Sequence, residues 1–123
     1  MSIARALHTT TALTDGNILV AGGRSSSSFT NTAELYNSTT GIWTFTGNVR
    51  STRMGYVAVL LQDGKVLIAG GLLIASTYLK TAELYDPITT TWAVTGNMTI
   101  ERNQPTAHLL MDGKVDIYLE DLY

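Results

Sequence analysis

An internal repeat with a period of about 49 residues constrains this sequence more than any other feature. "DGNILVAGG" at 15–23 returns as "DGKVLIAGG" at 63–71, and "TAELY" at 32–36 returns at 81–85. A tryptophan and the tripeptide "TGN" follow each "TAELY" at the same spacing. Such a period indicates a chain assembled from copies of one supersecondary unit, in which each copy buries apolar surface against the next.

A third copy begins in the same way and then departs from the pattern. "DGKVDIYLE" starts at Asp112, but Asp116 replaces an apolar residue, and Leu119 and Glu120 stand where the earlier copies have two glycines. At the N-terminus, "MSIAR" aligns with "VRSTR" and "MTIER", the segments that lead from one unit into the next. We therefore expect either a piece of a longer array or a decayed or misread C-terminus.

Each unit contains four predicted strands. In the first unit they are "LHTTTAL", "NILVAG", "TAELY" and "IWTFT", and in the second they are "GYVAVLL", "KVLIAG", "TAELY" and "TWAVT". The dipeptide Asp-Gly separates the first two strands at 15–16, at 63–64 and at 112–113. It predicts a two-residue hairpin turn in which both central residues have φ > 0.

The second strand of each unit is apolar on both faces. A strand with one face in water alternates between apolar and polar residues, so this strand must be covered above and below. A sheet with two apolar faces, repeated along the chain, indicates sheets that stack on one another. A β-propeller fits this pattern best.

The glycine pair after strand two, the tyrosine of "ELY", the following tryptophan and the arginine that opens each unit together resemble the kelch repeat. The wording "TAELYDP…TTTWAVTGNM…R" is most similar to the kelch units of galactose-oxidase-like and multi-kelch proteins. The repeat signature consists of Arg5, Arg53, Arg102, Gly22, Gly23, Gly70, Gly71, Glu34, Glu83, Tyr36, Tyr85, Trp43 and Trp92.

The resemblance implies an all-β fold of kelch-type β-propeller blades, each a four-stranded antiparallel sheet with its first strand nearest the axis. We expect about two and a half blades, which is fewer than a closed ring contains. Blade one is assigned to residues 5–48, blade two to 53–97 and a half blade three to 102–119. The chain is then an incomplete propeller.

The signature residues have a structural interpretation. An anion-binding loop needs a helix after its glycines, and no helical pattern follows either pair, so we expect the glycines to permit close backbone approach. We expect the repeated tyrosines and tryptophans to pack between blades and not to form a sugar-stacking surface. A charge retained in every repeat indicates an ion pair, and we hypothesise that Glu34 and Glu83 pair with the repeated arginines within or between blades.

The loops after strand two differ most between the units. "RSSSSFTN" is polar and predicted to be flexible, whereas "LLIASTYLK" is apolar. Loops on a rigid repeat scaffold commonly carry binding residues. The candidate binding residues are therefore Arg24, Ser26, Phe29, Leu73, Ile74 and Tyr78.

Composition limits the chemistry. The 123 residues contain no cysteine and two histidines, His8 and His108, which occupy different positions in their units, so we expect no catalytic, metal or cofactor site. A net charge of −2 with scattered basic residues argues against nucleic acid and anionic membranes as partners. No signal-peptide pattern or membrane span is evident, the compartment is open, and so is the use of the sequons at Asn37 and Asn97.

Three functions can be weighed against these patterns, and the oxidase among them is rejected. The resemblance implies a non-catalytic kelch scaffold that binds a protein partner of unknown identity, within a longer propeller. An oxidase of the galactose oxidase type would need a copper site with two tyrosines, two histidines and a tyrosine–cysteine cross-link, and this chain has no cysteine. The alternative is a non-catalytic piece of a carbohydrate-active or carbohydrate-binding propeller. Because two and a half blades leave apolar end faces bare, we also expect self-association.

Overall fold

The computed structural model describes residues 1–26, 28–73, 77–101 and 105–118, with the backbone alone at Thr106 and Tyr118. Every regular element in these residues is a β-strand, which confirms the predicted all-β fold. The strands are β1 (Thr9–Ala12), β2 (Ile18–Ala21), β3 (Arg24–Ser25), β4 (Ser28–Phe29), β5 (Ala33–Asn37), β6 (Ile42–Thr46), β7 (Val57–Leu60), β8 (Val66–Ala69), β9 (Ala82–Asp86), β10 (Thr91–Thr95), β11 (Thr106–Leu109) and β12 (Val115–Tyr118).

Two four-stranded antiparallel sheets form the body of the structure. The first blade has the strand order β1-β2-β5-β6, and the second blade has the order β7-β8-β9-β10. Each blade is therefore a meander in which neighbouring strands follow one another along the chain. The β11–β12 hairpin repeats the first two strands of a blade. The sheets do not close into a ring, as an incomplete kelch propeller requires.

A short hairpin interrupts the meander of the first blade. β3 and β4 pair through Arg24 with Phe29 and Ser25 with Ser28, in the segment predicted to be a flexible loop. That prediction is corrected: the backbone of Arg24 exchanges hydrogen bonds with Ala6, at N···O distances of 2.7 and 2.8 Å. The hairpin could not be predicted from the sequence because its serines have no strand propensity.

The Asp-Gly turns differ from the predicted two-residue type. The first spans three residues: the Leu13 N–H donates to the Asn17 carbonyl at 2.8 Å, and the Asp15 carboxylate accepts the Asn17 N–H at 2.9 Å. This side-chain bond holds the aspartate in an ordinary turn conformation, so the glycine alone takes positive φ. The φ angles are 86° at Gly16, 88° at Gly64 and 86° at Gly113.

The core lies between the two blades. Each blade has two faces. The face of the first blade that contacts the second blade is here called a trailing face, and the face of the second blade that it contacts is called a leading face. Alternation along the strands assigns the residues to these faces. The trailing face of the first blade consists of Leu19, Ala21, Ala33 and Leu35, and the leading face of the second consists of Val66, Ile68, Glu83, Tyr85 and Trp92. The predicted stacking of sheets is therefore present.

A first prediction concerns the effect of the Leu7 backbone conformation on stability. Leu7 has φ 58°, whereas the equivalent residue of the second unit, Gly55, has φ 64°. A left-handed conformation costs an L-residue about 1–2 kcal/mol, and Leu7 is 51% exposed, so little packing opposes this cost. We expect Leu7→Gly to raise the free energy of unfolding by about 0.5–1 kcal/mol after the larger unfolded-state entropy of glycine is deducted. Urea denaturation measures the change.

The matched control is the reverse substitution at the equivalent position. Gly55→Leu introduces the strain that Leu7→Gly removes, and it should lower the free energy of unfolding by about 1 kcal/mol or more. A destabilised Leu7→Gly variant would show that the leucine side chain contributes more than its backbone costs.

Candidate functional site

A buried ion pair lies beneath the loop end of each blade, the end at which strand two stops and the variable loop begins. In the first blade the Arg5 guanidinium lies 3.0 Å from the Glu34 carboxylate, and neither side chain is exposed. The same guanidinium donates to the Gly22 carbonyl at 3.0 Å and to the Thr32 carbonyl at 2.8 Å. One arginine thus connects the end of β2, the approach to β5 and β5 itself.

The second blade repeats this arrangement. Arg53 lies 2.9 Å from Glu83 and donates to the Gly70 carbonyl at 2.8 Å and the Thr81 carbonyl at 3.1 Å. The hypothesised arginine–glutamate pairs are therefore present, and each forms within one blade. Arg102, the third repeated arginine, lies outside the described residues.

The carboxylates also bind the chain that enters each blade. Glu34 accepts the N–H groups of Ser2 at 2.7 Å and Ile3 at 3.3 Å, and Glu83 accepts those of Arg50 at 2.7 Å and Ser51 at 3.2 Å. Burial alone would raise the pKa of Glu34. The two N–H donors and the guanidinium outweigh burial, so the pKa of the Glu34 carboxyl is lower than usual.

Stability prediction for the buried pair. Glu83→Ala leaves the Arg53 charge buried and removes the acceptor of two backbone N–H groups. We expect the free energy of unfolding to fall by about 3–5 kcal/mol, measured by urea denaturation. Lys114→Ala is the control, because it removes an exposed ion pair with Asp112 and should change stability by less than about 1 kcal/mol. Equal stability of Glu83→Ala and wild type would contradict a structural role for the pair.

A third prediction concerns the pH dependence of stability that Glu34 causes. Because the folded pKa of Glu34 is lowered, the unfolded chain takes up a proton at this carboxyl before the folded protein does. Its contribution to stability is therefore complete above the ordinary value of 4.5 and is lost as the pH falls through the folded pKa. Denaturation curves between pH 7 and pH 3 should show a shallower loss for Glu34→Gln than for wild type. Parallel curves would show that this carboxyl does not contribute.

The glycine pairs complete this arrangement. Gly23 has φ 93° and Gly71 has φ 97°, and a Cβ at these positions would lie 2.5 Å from the Ala6 carbonyl oxygen and 2.8 Å from that of Met54. Glycine is therefore required both by conformation and by the close approach of the entering chain. No helix follows either pair in the described part of the chain, which agrees with a structural use of the glycines.

The repeated aromatics divide into a covered pair and a partly exposed pair. Tyr85 and Trp92 are buried between the blades: the Tyr85 hydroxyl lies 2.7 Å from the Thr46 hydroxyl, and Trp92 Nε1 donates to the Gly47 carbonyl at 2.9 Å. The Tyr36 and Trp43 rings have the same arrangement, with centroids 4.9 Å apart against 5.0 Å, but both residues are partly exposed. Packing between blades, expected of all four, is observed for the second pair alone.

Tyr56 is a further contact between the blades that the sequence reasoning did not single out. Its hydroxyl donates to the Ala21 carbonyl and accepts a hydrogen bond from the Thr9 hydroxyl at 3.0 Å. Burial raises the pKa of Tyr56 to about 12, so the hydroxyl remains a donor at neutral pH. The available signal was a tyrosine in the second unit where the first unit has His8.

The first-unit loop forms the rim of a surface depression of about 410 Å³. Two predicted binding residues, Arg24 and Ser26, line it, and Arg24 is exposed. Phe29 is paired with Arg24 in the β3–β4 hairpin and is partly exposed. The remaining lining residues are Ala4, Arg5 and Ala6. The depression therefore combines the Arg24 guanidinium, which has no ion pair among the described residues, with a hydroxyl and short apolar side chains.

The second-unit loop presents different chemistry. Tyr78 is 49% exposed and bridges to Leu72 through the backbone, and Leu73 is partly exposed. Ile74, also predicted as a binding residue, lies outside the described residues. Because each loop follows strand two of its blade, both emerge at the same end of the array, one basic and polar and the other apolar.

The two histidines occupy unrelated places. His8 is partly buried next to Arg5, its Nδ1 makes no hydrogen bond, and both burial and the nearby guanidinium lower its pKa. His108 lies on β11 and is exposed. Within the described ranges, no three His, Cys, Asp or Glu side chains cluster as metal ligands would, and no helix is long and apolar enough to cross a membrane.

Repeated four-stranded blades with one arginine–glutamate pair each define a repeat protein of the propeller type. The family model of the Kelch motif matches residues 5–49 and 53–99. The chain therefore belongs to the Kelch motif family, as the sequence resemblance predicted. The blade boundaries given above, 5–48, 53–97 and 102–119, stay predictions.

A solved structure shares this fold. It is described as a novel fungal alcohol oxidase with catalytic diversity among the AA5 family, in complex with copper. The TM-score is 0.80 at 24% sequence identity, and the match covers 90% of this chain and 26% of the oxidase. The chain thus spans about a quarter of that protein's length, and at this identity the likeness concerns the fold alone. A comparison with curated proteins gives no match.

Proposed function

We propose that this chain is a kelch scaffold that binds a protein partner through the loop end of its blades, as a part of a longer propeller. The observation that carries the proposal is the depression lined by two exposed residues of the first-unit loop, Arg24 and Ser26. Loops held on a rigid scaffold are the usual site of binding residues in repeat folds. The apolar second-unit loop, with exposed Tyr78, lies at the same end of the array.

The structure beneath the loops supports binding with little reorganisation. Arg24 is held by two backbone hydrogen bonds to Ala6, and the residue before Ala6 is the buried, paired Arg5. The position of Arg24 is therefore fixed although its side chain is exposed. A preorganised contact residue loses less conformational entropy on binding.

Charge suggests the chemistry of the partner. The charge of Arg5 is neutralised by Glu34, so the positive charge of the depression belongs to Arg24. A guanidinium with a hydroxyl beside it recognises a carboxylate. We therefore propose that the partner offers an acidic peptide segment, with an apolar side chain for the second-unit loop.

The same proposal treats the chain as non-catalytic. The related fold of a copper-containing alcohol oxidase raises the question of a metal site. The residues of this chain do not fit one: there is no cysteine, His8 precedes β1 of the first blade, and His108 lies on β11 of the third sheet. A carbohydrate-binding role is the second candidate, favoured by the exposed ring of Tyr78.

Binding prediction for Arg24. Fluorescence anisotropy with labelled peptides rich in Asp and Glu, or in Lys and Arg, compares the two charge classes directly. We expect the acidic peptides to bind and Arg24→Glu to weaken them at least tenfold, because a repulsive charge replaces the attractive one. Lys114→Glu is the control: it makes the same charge change on a side chain 80% exposed, at the Asp-Gly end of its hairpin, and should leave binding unchanged.

The other outcomes separate the candidates. Binding of neither peptide class, or equal binding by wild type and Arg24→Glu, would contradict the acidic-segment proposal. NMR titration with neutral oligosaccharides tests the second candidate, and shifts centred on Tyr78 that Tyr78→Ala abolishes would favour the carbohydrate role.

A further inference from the structure

The first blade presents the same kind of surface with which the second blade docks. Its leading face carries Tyr36 and Trp43 in the ring geometry of Tyr85 and Trp92. In the second blade these rings contact the first blade through one hydroxyl–hydroxyl bond and one indole N–H donor. The Tyr36 hydroxyl and Trp43 Nε1 make no hydrogen bond within the described residues. The first blade therefore carries a docking surface of the same kind, but no described residue covers its tyrosine and tryptophan or bonds to their polar groups.

The second blade carries the matching acceptor surface, also uncovered in its outer half. Thr95 is the last residue of β10 and Gly96 follows it, as Thr46 is the last residue of β6 and Gly47 follows it. A Cβ on Gly47 would overlap the Thr90 carbonyl oxygen of the other blade, and the Gly47 N–H donates to that oxygen at 3.2 Å. A Cβ on Gly96 meets nothing within 4 Å in the described structure. Gly96 thus leaves room for another backbone to approach as closely as Thr90 approaches Gly47, and no described residue fills that room.

We propose that a second copy of this chain docks head to tail, with the leading face of its first blade on the trailing face of the second blade. Tyr36 of the second copy takes the place of Tyr85 and bonds to Thr95. Trp43 takes the place of Trp92, and its Nε1 donates to the Gly96 carbonyl. The turn residue Gly41, with φ 73°, takes the place of Thr90, with φ 58°. This surface is separate from the loop end used for partner binding. In a longer propeller, neighbouring blades of one chain would meet through the same two faces.

Complementarity within the chain identifies the occupant. Both halves of the contact already occur together between the first and second blades, with tyrosine, tryptophan and threonine at the same register positions. A second copy supplies these tyrosine, tryptophan, threonine and glycine contacts, with His8 in the place of Tyr56. Because the two contacting surfaces differ, the contact is heterologous, and repeated copies close into a ring or extend as a chain.

Docking requires the β11–β12 hairpin to move aside, since it covers the inner half of the same face. The hairpin is held less firmly than the equivalent strands of the second blade. Val115 and Ile117 are partly exposed, whereas their counterparts Val66 and Ile68 are fully buried. Replacing this hairpin by the complete first blade of another copy buries more apolar surface, which favours exchange.

The test is the association state of the full chain by light scattering across a concentration series, for wild type and Gly96→Ala. Gly96 has no positive φ and open space at its Cβ, so alanine leaves the single chain unstrained. In the docked pair the added methyl group overlaps the Gly41 carbonyl, as it would at Gly47. We expect wild type to form oligomers and Gly96→Ala to raise the concentration for half-association at least tenfold, with unchanged circular dichroism.

Two further variants complete the test. Trp43→Phe removes an indole N–H that has no partner among the described residues, and it should weaken association while the urea midpoint stays the same. Gly47→Ala places the same methyl group between the two blades, and it should lower the urea midpoint instead. A monomeric wild type, or association that neither Gly96→Ala nor Trp43→Phe weakens, would overturn the proposal.

Discussion

The rest of the structure depends on the buried pairing of arginine with glutamate in each blade. A guanidinium without exposure is stable only when a carboxylate and further acceptors surround it, and Arg53 finds them in Glu83, Gly70 and Thr81. These contacts join the entering chain, the end of strand two and strand three at one point. The loop end of each blade is thereby fixed, while the sequence of the loop itself remains free to vary.

Stacking of blades supplies what a single blade cannot. Strand two is apolar on both faces, so one sheet alone would leave one of its faces in water. Between the two blades this surface is covered, and polar contacts set the register, among them those of Tyr56, Tyr85 and Trp92. The same logic leaves Tyr36 and Trp43 on the leading face of the first blade partly exposed, and the outer trailing face of the second blade without a cover among the described residues.

The architecture could be predicted well from the sequence because the pattern of one blade occurs in two copies. The strands of "IWTFT" and "TWAVT" end where the structure ends them, and the glutamate of each "TAELY" meets the arginine of its unit. Features that occur once were harder to predict. The β3–β4 hairpin lies in a serine run without strand propensity, and the Asp-Gly turn type depends on a side-chain hydrogen bond that the dipeptide alone does not reveal. The surface depression arises from tertiary contact between Ala6 and Arg24, which no local pattern encodes.

A double-mutant cycle on Arg53 and Glu83 tests the central claim most directly. Urea denaturation of Arg53→Met, Glu83→Leu and the double variant gives the coupling energy between the two side chains. If the pair fixes the loop end, each single variant leaves a buried group without its partner. The double variant should then be more stable than the sum of the single changes by about 2 kcal/mol or more. Additive changes, with a coupling energy near zero, would contradict the account.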